Sequence, residues 1–157
     1  MEITYIGHAA LQVRAAGKSI LMDPWLVDPA YCNAWFHYPP LVHELADLTP
    51  VDFVYVSHEH PDHFDPATLD QLPRDQPILL PEFHSRVLRE RFERMGFHEL
   101  IPMPFGEPVE LAEDLKVTCL RSDLVWEDSA ILVESGGATL FNMNDCKLGD
   151  ELLRDVG

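Results

Sequence analysis

Three histidines and two acids fall within six positions, in His58-Glu-His-Pro-Asp-His63. Neutral imidazoles and carboxylates are the donors a borderline divalent cation takes. On a helix only residues three or four apart share a face, so donors crowded this tightly call for a loop. On a loop the alternate residues His58 and His60 can grip one ion while Asp62 and His63 turn toward a second. Pro61 keeps the segment out of regular strand and biases His60 toward extended or turn geometry. Two ions held this way would lower the pKa of a water, and Asp62 could orient that nucleophile. A solvated polar turn is the plain alternative, and the spacing weighs against it. Glu59 falls on the other face of the alternation and is expected at the surface or behind the ligands.

The elements around the motif read as follows. Residues 51–56 (Val-Asp-Phe-Val-Tyr-Val) are β-branched and aromatic, a buried strand running into the loop. Before it, Leu41, Leu45 and Leu48 at helical spacing predict a short helix over 40–48. Strands are expected at 3–6, 10–14 and 19–22, and the last stops at Asp23-Pro24. After the motif, Asp65-Pro66 is an N-cap followed by proline at the first helical position, predicting a helix to Leu72. A strand follows at 78–80. Val87, Leu88, Phe92 and Met95 then stripe a helix over 85–95 that Gly96 stops. Short strands near 100–101, 109–111, 115–120, 129–134 and 138–143 complete the pattern, the last two joined at Gly136-Gly137. This alternation suits an α/β fold whose mixed sheet carries helices on one face.

Residues 25–40 are irregular yet rich in rings, among them Trp25, Tyr31, Trp35 and Tyr38. Such a segment packs over the core or walls a pocket. His8, Asp23, Trp25, Trp35 and His37 are the candidate substrate-pocket residues. His8 alone reads more readily as a structural histidine than as a ligand. His43, His84 and His98 read as surface or structural.

The formal charge of −16, from 11 basic and 27 acidic residues, argues against nucleic acid or an anionic membrane as partner and leaves a small molecule. Cys32, Cys119 and Cys146 form no C-x-x-C pair, which disfavours a disulfide framework or a cysteine-bound metal. The N-terminus lacks a basic stretch with a long apolar run, so cytoplasm is the expected location. At 157 residues the chain is expected to be one domain, 1–157.

His58-x-His-x-Asp-His63 resembles the signature of the metallo-β-lactamase fold. The ordered series Ile6-Gly-His-Ala9, Asp23-Pro-Trp-Leu26, Pro29-Ala30, Trp35, Pro39-Pro40, Pro104-Phe-Gly106 and Asn144-Asp-Cys146 is similar to one region of the CMP-N-acetylneuraminate hydroxylases and their bacterial relatives. The resemblance spans nearly the whole chain. It implies an αββα sandwich, here apparently truncated at its C-terminal end, inside a helix that starts near Gly149. It implies that Asp145, just past a strand, bridges two metal ions. Where the family places its third histidine this chain has Asp123, and no histidine follows His98. The activity expected first is metal-dependent hydrolysis by a metal-activated water at a dinuclear site, with zinc first and iron or manganese next. The alternative is iron-dependent hydroxylation, for which a Rieske-type electron donor must come from elsewhere, since this sequence has no Cys-x-His pair. A scaffold without catalysis is the third reading.

Overall fold

The computed structural model describes residues 1–122, 127–147 and 149. Its first sheet opens with an antiparallel meander: β1 (Glu2–Gly7), β2 (Ala10–Ala15) and β3 (Lys18–Met22). The chain then crosses over three times, and β4 (Phe53–Tyr55), β5 (Ile78–Pro81) and β6 (Leu100–Met103) add in parallel, in the order β1-β2-β3-β4-β5-β6. The crossovers carry α1 (Leu45–Leu48), α2 (Pro66–Leu69) and α3 (Val87–Met95). The second sheet is an antiparallel meander of β7 (Pro108–Ala112), β8 (Leu115–Arg121), β9 (Ser129–Ser135) and β10 (Ala138–Asn142).

The inner strands of the first sheet, β3 to β5, are apolar on both faces because both are covered. One face carries Val13, Ile20, Met22, Tyr55 and Leu79, which meet Leu115, Val117, Ile131 and Val133 of the second sheet. The other carries Leu21, Val54, Val56, Ile78 and Leu80, packed by Leu48, Leu69, Leu88 and Phe92 from the three helices. Two β-layers with helices outside the first give a mixed α/β sandwich. Successive side chains of one strand thus serve the two cores alternately, as the two-residue period requires.

Local signals account for most element ends. Asp65 caps α2 by accepting from the backbone N–H groups of Ala67 and Thr68, with Pro66 first in the helix. Gly96, at φ 89°, ends α3. Gly136 and Gly137, at φ 59° and 73°, turn β9 into β10. The helix expected over 40–48 forms only at Leu45–Leu48, closed by a reciprocal Glu44–Asp47 box. Ahead of it, Leu41 packs on the helix-side core rather than continuing a helix. It lies so close to Gly7 that a Cβ there would collide with the leucine side chain. Asp123 lies outside the described residues.

Candidate metal centre

The ends of β3 and β4 meet the start of β9 and the end of β10 at one edge of the sandwich. Polar bonds pin the two sheets together there. The Tyr55 hydroxyl lies 2.7 Å from Ser129 Oγ, and that Oγ donates to the Ser57 carbonyl at 2.7 Å. Asn144 Nδ2 donates to the Ser129 carbonyl at 2.7 Å, which sets the segment carrying Asp145.

The motif loop leaves β4 at Ser57 and folds back at once, with the N–H groups of His63 and Phe64 both donating to the His60 carbonyl. His58 and His63 are buried, whereas His60 is exposed. Asp23, at zero exposure, accepts from Ser57 N–H at 2.7 Å, from Ser57 Oγ at 2.8 Å and from His63 Nδ1 at 2.9 Å. That anchors His63 Nδ1 and turns Nε2 into the site. His63 Nε2 is buried with no hydrogen-bond partner, 3.7 Å from Asp62 Oδ2 and 3.5 Å from Asp145 Oδ2. His58 is held alike, with Nδ1 3.2 Å from Asp128 Oδ1 and Nε2 2.7 Å from His60 Nδ1. Its Nε2 lies 3.9 Å from the same Asp145 oxygen. One carboxylate oxygen therefore stands between two donor groups.

Those groups are His58, His60 and Asp145 on one side, and His8, Asp62 and His63 on the other; within each, donor atoms lie within 4.8 Å of one another. An unpartnered buried imidazole nitrogen facing two carboxylates suits a divalent cation: an unpaired polar atom in the interior is costly, and ligation satisfies it. The carboxylate behind each inner histidine is the arrangement that fixes ring orientation and raises ligand basicity at metal sites. Neither donor group contains a cysteine, and burial raises the Cys119 and Cys146 thiols above their usual range.

Electrostatics agree. Burial alone would lower the His63 pKa, but the hydrogen bond and charge of Asp23, with the charges of Asp62 and Asp145, raise it to about 9. A cation is wanted at this spot. Burial would raise Asp62, yet hydrogen bonds from Tyr31 and His8 and the charge of His63 hold it below the usual carboxylate range. Tyr31 donates to Asp62 Oδ1 at 2.7 Å, and His8 Nε2 lies 2.6 Å from Asp62 Oδ2.

Beside this centre opens a cleft of about 730 Å³ lined by Tyr5, His8, Trp25, Trp35, His37 and Tyr38 among others, with no lysine or arginine among the described residues of its wall. His37 stacks on Trp25 with centroids 3.9 Å apart, and its Nδ1 pairs with Asp28 at 2.6 Å. Of the expected pocket residues, Trp25, Trp35, His37 and His8 stand in this wall. Asp23 does not, because its carboxylate serves buried donors behind His63 instead. Sequence reasoning gave no role to Asp128, an isolated acid before a strand, or to Tyr31, one ring among several. A carboxylate next to a strand end was the available signal for Asp128.

The Beta-lactamase superfamily domain family matches residues 2–145. This chain belongs to that family. A Mycobacterium tuberculosis protein with a Rieske 2Fe-2S iron-sulfur name is 36% identical over 156 residues, covering 94% of this chain and 30% of the relative. The cytidine monophosphate-N-acetylneuraminic acid hydroxylase of Xenopus laevis is 31% identical over 154 residues, covering 93% of this chain and 26% of the hydroxylase. The chain thus spans less than a third of either relative's length. Among solved structures, an isothiocyanate hydrolase from Delia radicum gut bacteria matches at TM-score 0.81 and 21% identity, over 99% of this chain and 67% of that one. A diiron β-hydroxylase from Streptomyces venezuelae matches at TM-score 0.75 and 23% identity, over 97% and 31%. Both share the fold. Among the described residues no helix is long and apolar enough to cross a membrane.

Proposed function

We propose that the chain is a metal-dependent hydrolase acting on a small molecule at a dinuclear site. The observation carrying this reading is the single Asp145 oxygen set between His58 and His63, at 3.9 and 3.5 Å. His58, His60 and Asp145 would hold one ion; Asp62 and His63 would hold the other, with Asp145 shared; Asp123 is a further candidate outside the described residues. Two divalent ions there, zinc first, would supply Lewis acidity and an activated water. Asp62, kept anionic by Tyr31 and His8, would be placed to accept a proton or hydrogen bond from such a water and so to orient it. Asp23 and Asp128 keep the inner imidazoles aimed inward. Among the described residues the cleft wall is mostly rings and apolar side chains, which suits a substrate with a neutral, apolar part.

A second reading, iron-dependent hydroxylation with a separate Rieske-type electron donor, is favoured by the hydroxylase and Rieske-named relatives at 31% and 36% identity. Imidazole and carboxylate suit iron as well as zinc. Metal content per chain, measured on protein purified without added metal, separates the two. About two zinc ions, lost in His58→Ala and Asp145→Ala, together with ester hydrolysis, are expected. Iron with no hydrolysis would transfer the proposal to the hydroxylase reading. No metal at all would leave a scaffold without catalysis.

A further inference from the structure

His8 stands 54 positions before Asp62, in the turn between β1 and β2, yet its Nε2 reaches the Asp62 carboxylate. Three features aim it there. The β1–β2 register shifts between Tyr5 and Gly7, the kind of irregularity that redirects a side chain. His8 itself takes a left-handed backbone at φ 51°, a conformation costly for a residue with a Cβ and one that gathers at functional sites. Trp25 and Trp35 stand nearly perpendicular to its ring, at 81° each, with centroids 5.3 and 6.2 Å away, and so restrict its rotation. A surface histidine without a role needs none of these.

The donors available to the ion beside Asp62 make the role specific. On the His58 side, two imidazoles and Asp145 converge. On the other side the motif supplies only Asp62 and His63. The donor atoms of His8, Asp62 and His63 lie within 4.8 Å of one another, and the His8 and His63 rings are 6.0 Å apart. Asp62, His63 and the shared Asp145 are three donors for that position, and His8 brings a second imidazole within reach of it, matching the two imidazoles on the His58 side. We infer that His8 is a protein ligand of the metal position formed by Asp62 and His63, an inference that rests on the metal-dependent reading above. Ligation would replace its hydrogen bond to Asp62, with Nε2 unprotonated and the proton released to solvent. Because His8 also lines the cleft, the ion it holds would be the one facing the substrate.

The test is equilibrium dialysis of the whole chain and of His8→Gln and His8→Ala against cobalt(II), read by elemental analysis and by the visible absorption of bound cobalt. Melting of the metal-free variants checks that they fold. Glutamine can still hydrogen-bond Asp62 but is a poor ligand for this ion. The wild-type chain should hold two ions. Both variants should hold one, with at least about 100-fold weaker binding at the vacated position, beyond the ~10–100-fold that losing a partner behind a ligand brings. The cobalt spectrum should lose the contribution of that ion. If His8→Gln retains both ions with affinity within a few-fold and an unchanged spectrum, His8 is only a hydrogen-bond donor and the inference is overturned while the hydrolase reading stands. A wild-type chain that takes up no cobalt, zinc or iron overturns both.

Discussion

The inner and outer halves of the candidate metal centre are built differently. In the inner half, His58 and His63 are buried, and each has its Nδ1 beside a buried carboxylate, Asp128 or Asp23, from a different segment. In the outer half, the Asp145 side chain is 59% exposed and that of His8 37%. Burial, with each Nδ1 held beside a carboxylate, fixes the inner imidazoles before any ligand arrives and leaves His63 Nε2 free to take one. The second half is open to solvent and to the cleft, where a site must admit substrate. The inner half should therefore govern stability, and the outer half should govern binding with little effect on folding.

The sharpest way to break this division is to remove one carboxylate from each half. Asp23→Ala strands Ser57 N–H, Ser57 Oγ and His63 Nδ1 in a fully buried place, and should destabilise the metal-free chain by about 3–5 kcal/mol in urea unfolding. Asp145→Ala should stay within about 0.5 kcal/mol of wild type in the same measurement while metal uptake falls. Equal destabilisation by the two would erase the distinction.

A pH series gives the next effect in size. His63 titrates near 6.5 in an unfolded chain, and at about 9 in the folded one, because its pairing with Asp23, Asp62 and Asp145 outweighs burial. A raised pKa stabilises fully below the unfolded value and is lost as pH climbs through the folded one. Kept in chelator, the chain should lose roughly 3 kcal/mol between pH 6 and 9.5, read from urea midpoints. With metal bound the trend should reverse over the same window, because ligation needs the neutral imidazole. A flat metal-free profile would mean that His63 is uncharged and that the inner half is held by packing alone.

The smallest effect tests the other inner histidine. Asp128→Asn keeps the shape but removes the charge beside His58 Nδ1. Metal affinity at the His58 position should fall about 10–100-fold by competition with a fluorescent chelator, with about 1 kcal/mol lost in stability.

Where the chain could be read locally, it was read well. The apolar run before the motif became β4 together with its flanking buried residues Val51 and Val56. Asp65-Pro66, Gly96 and Gly136-Gly137 each ended or began the element that their backbone preferences demand. The helix over 40–48 was shortened because burying Leu41 against Gly7 outweighed leucine spacing. The sequence points Asp23 to the cleft wall, since a strand-end position says nothing about which way a carboxylate must face once three buried donors need it.

His58, His60, Asp62 and His63 owe their convergence to sequence alone, since a tight loop after a strand brings neighbours together whatever surrounds it. The partners of those ligands are a different matter. Asp23 lies 40 positions from His63, His8 lies 54 from Asp62, and Asp128 immediately precedes β9 of the other sheet. Parallel crossovers and the packing of one sheet on another bring them together, and no local spacing encodes that. The tertiary structure therefore decided how the imidazoles are oriented, which of them are charged without metal, and which histidine from the first hairpin joins the site.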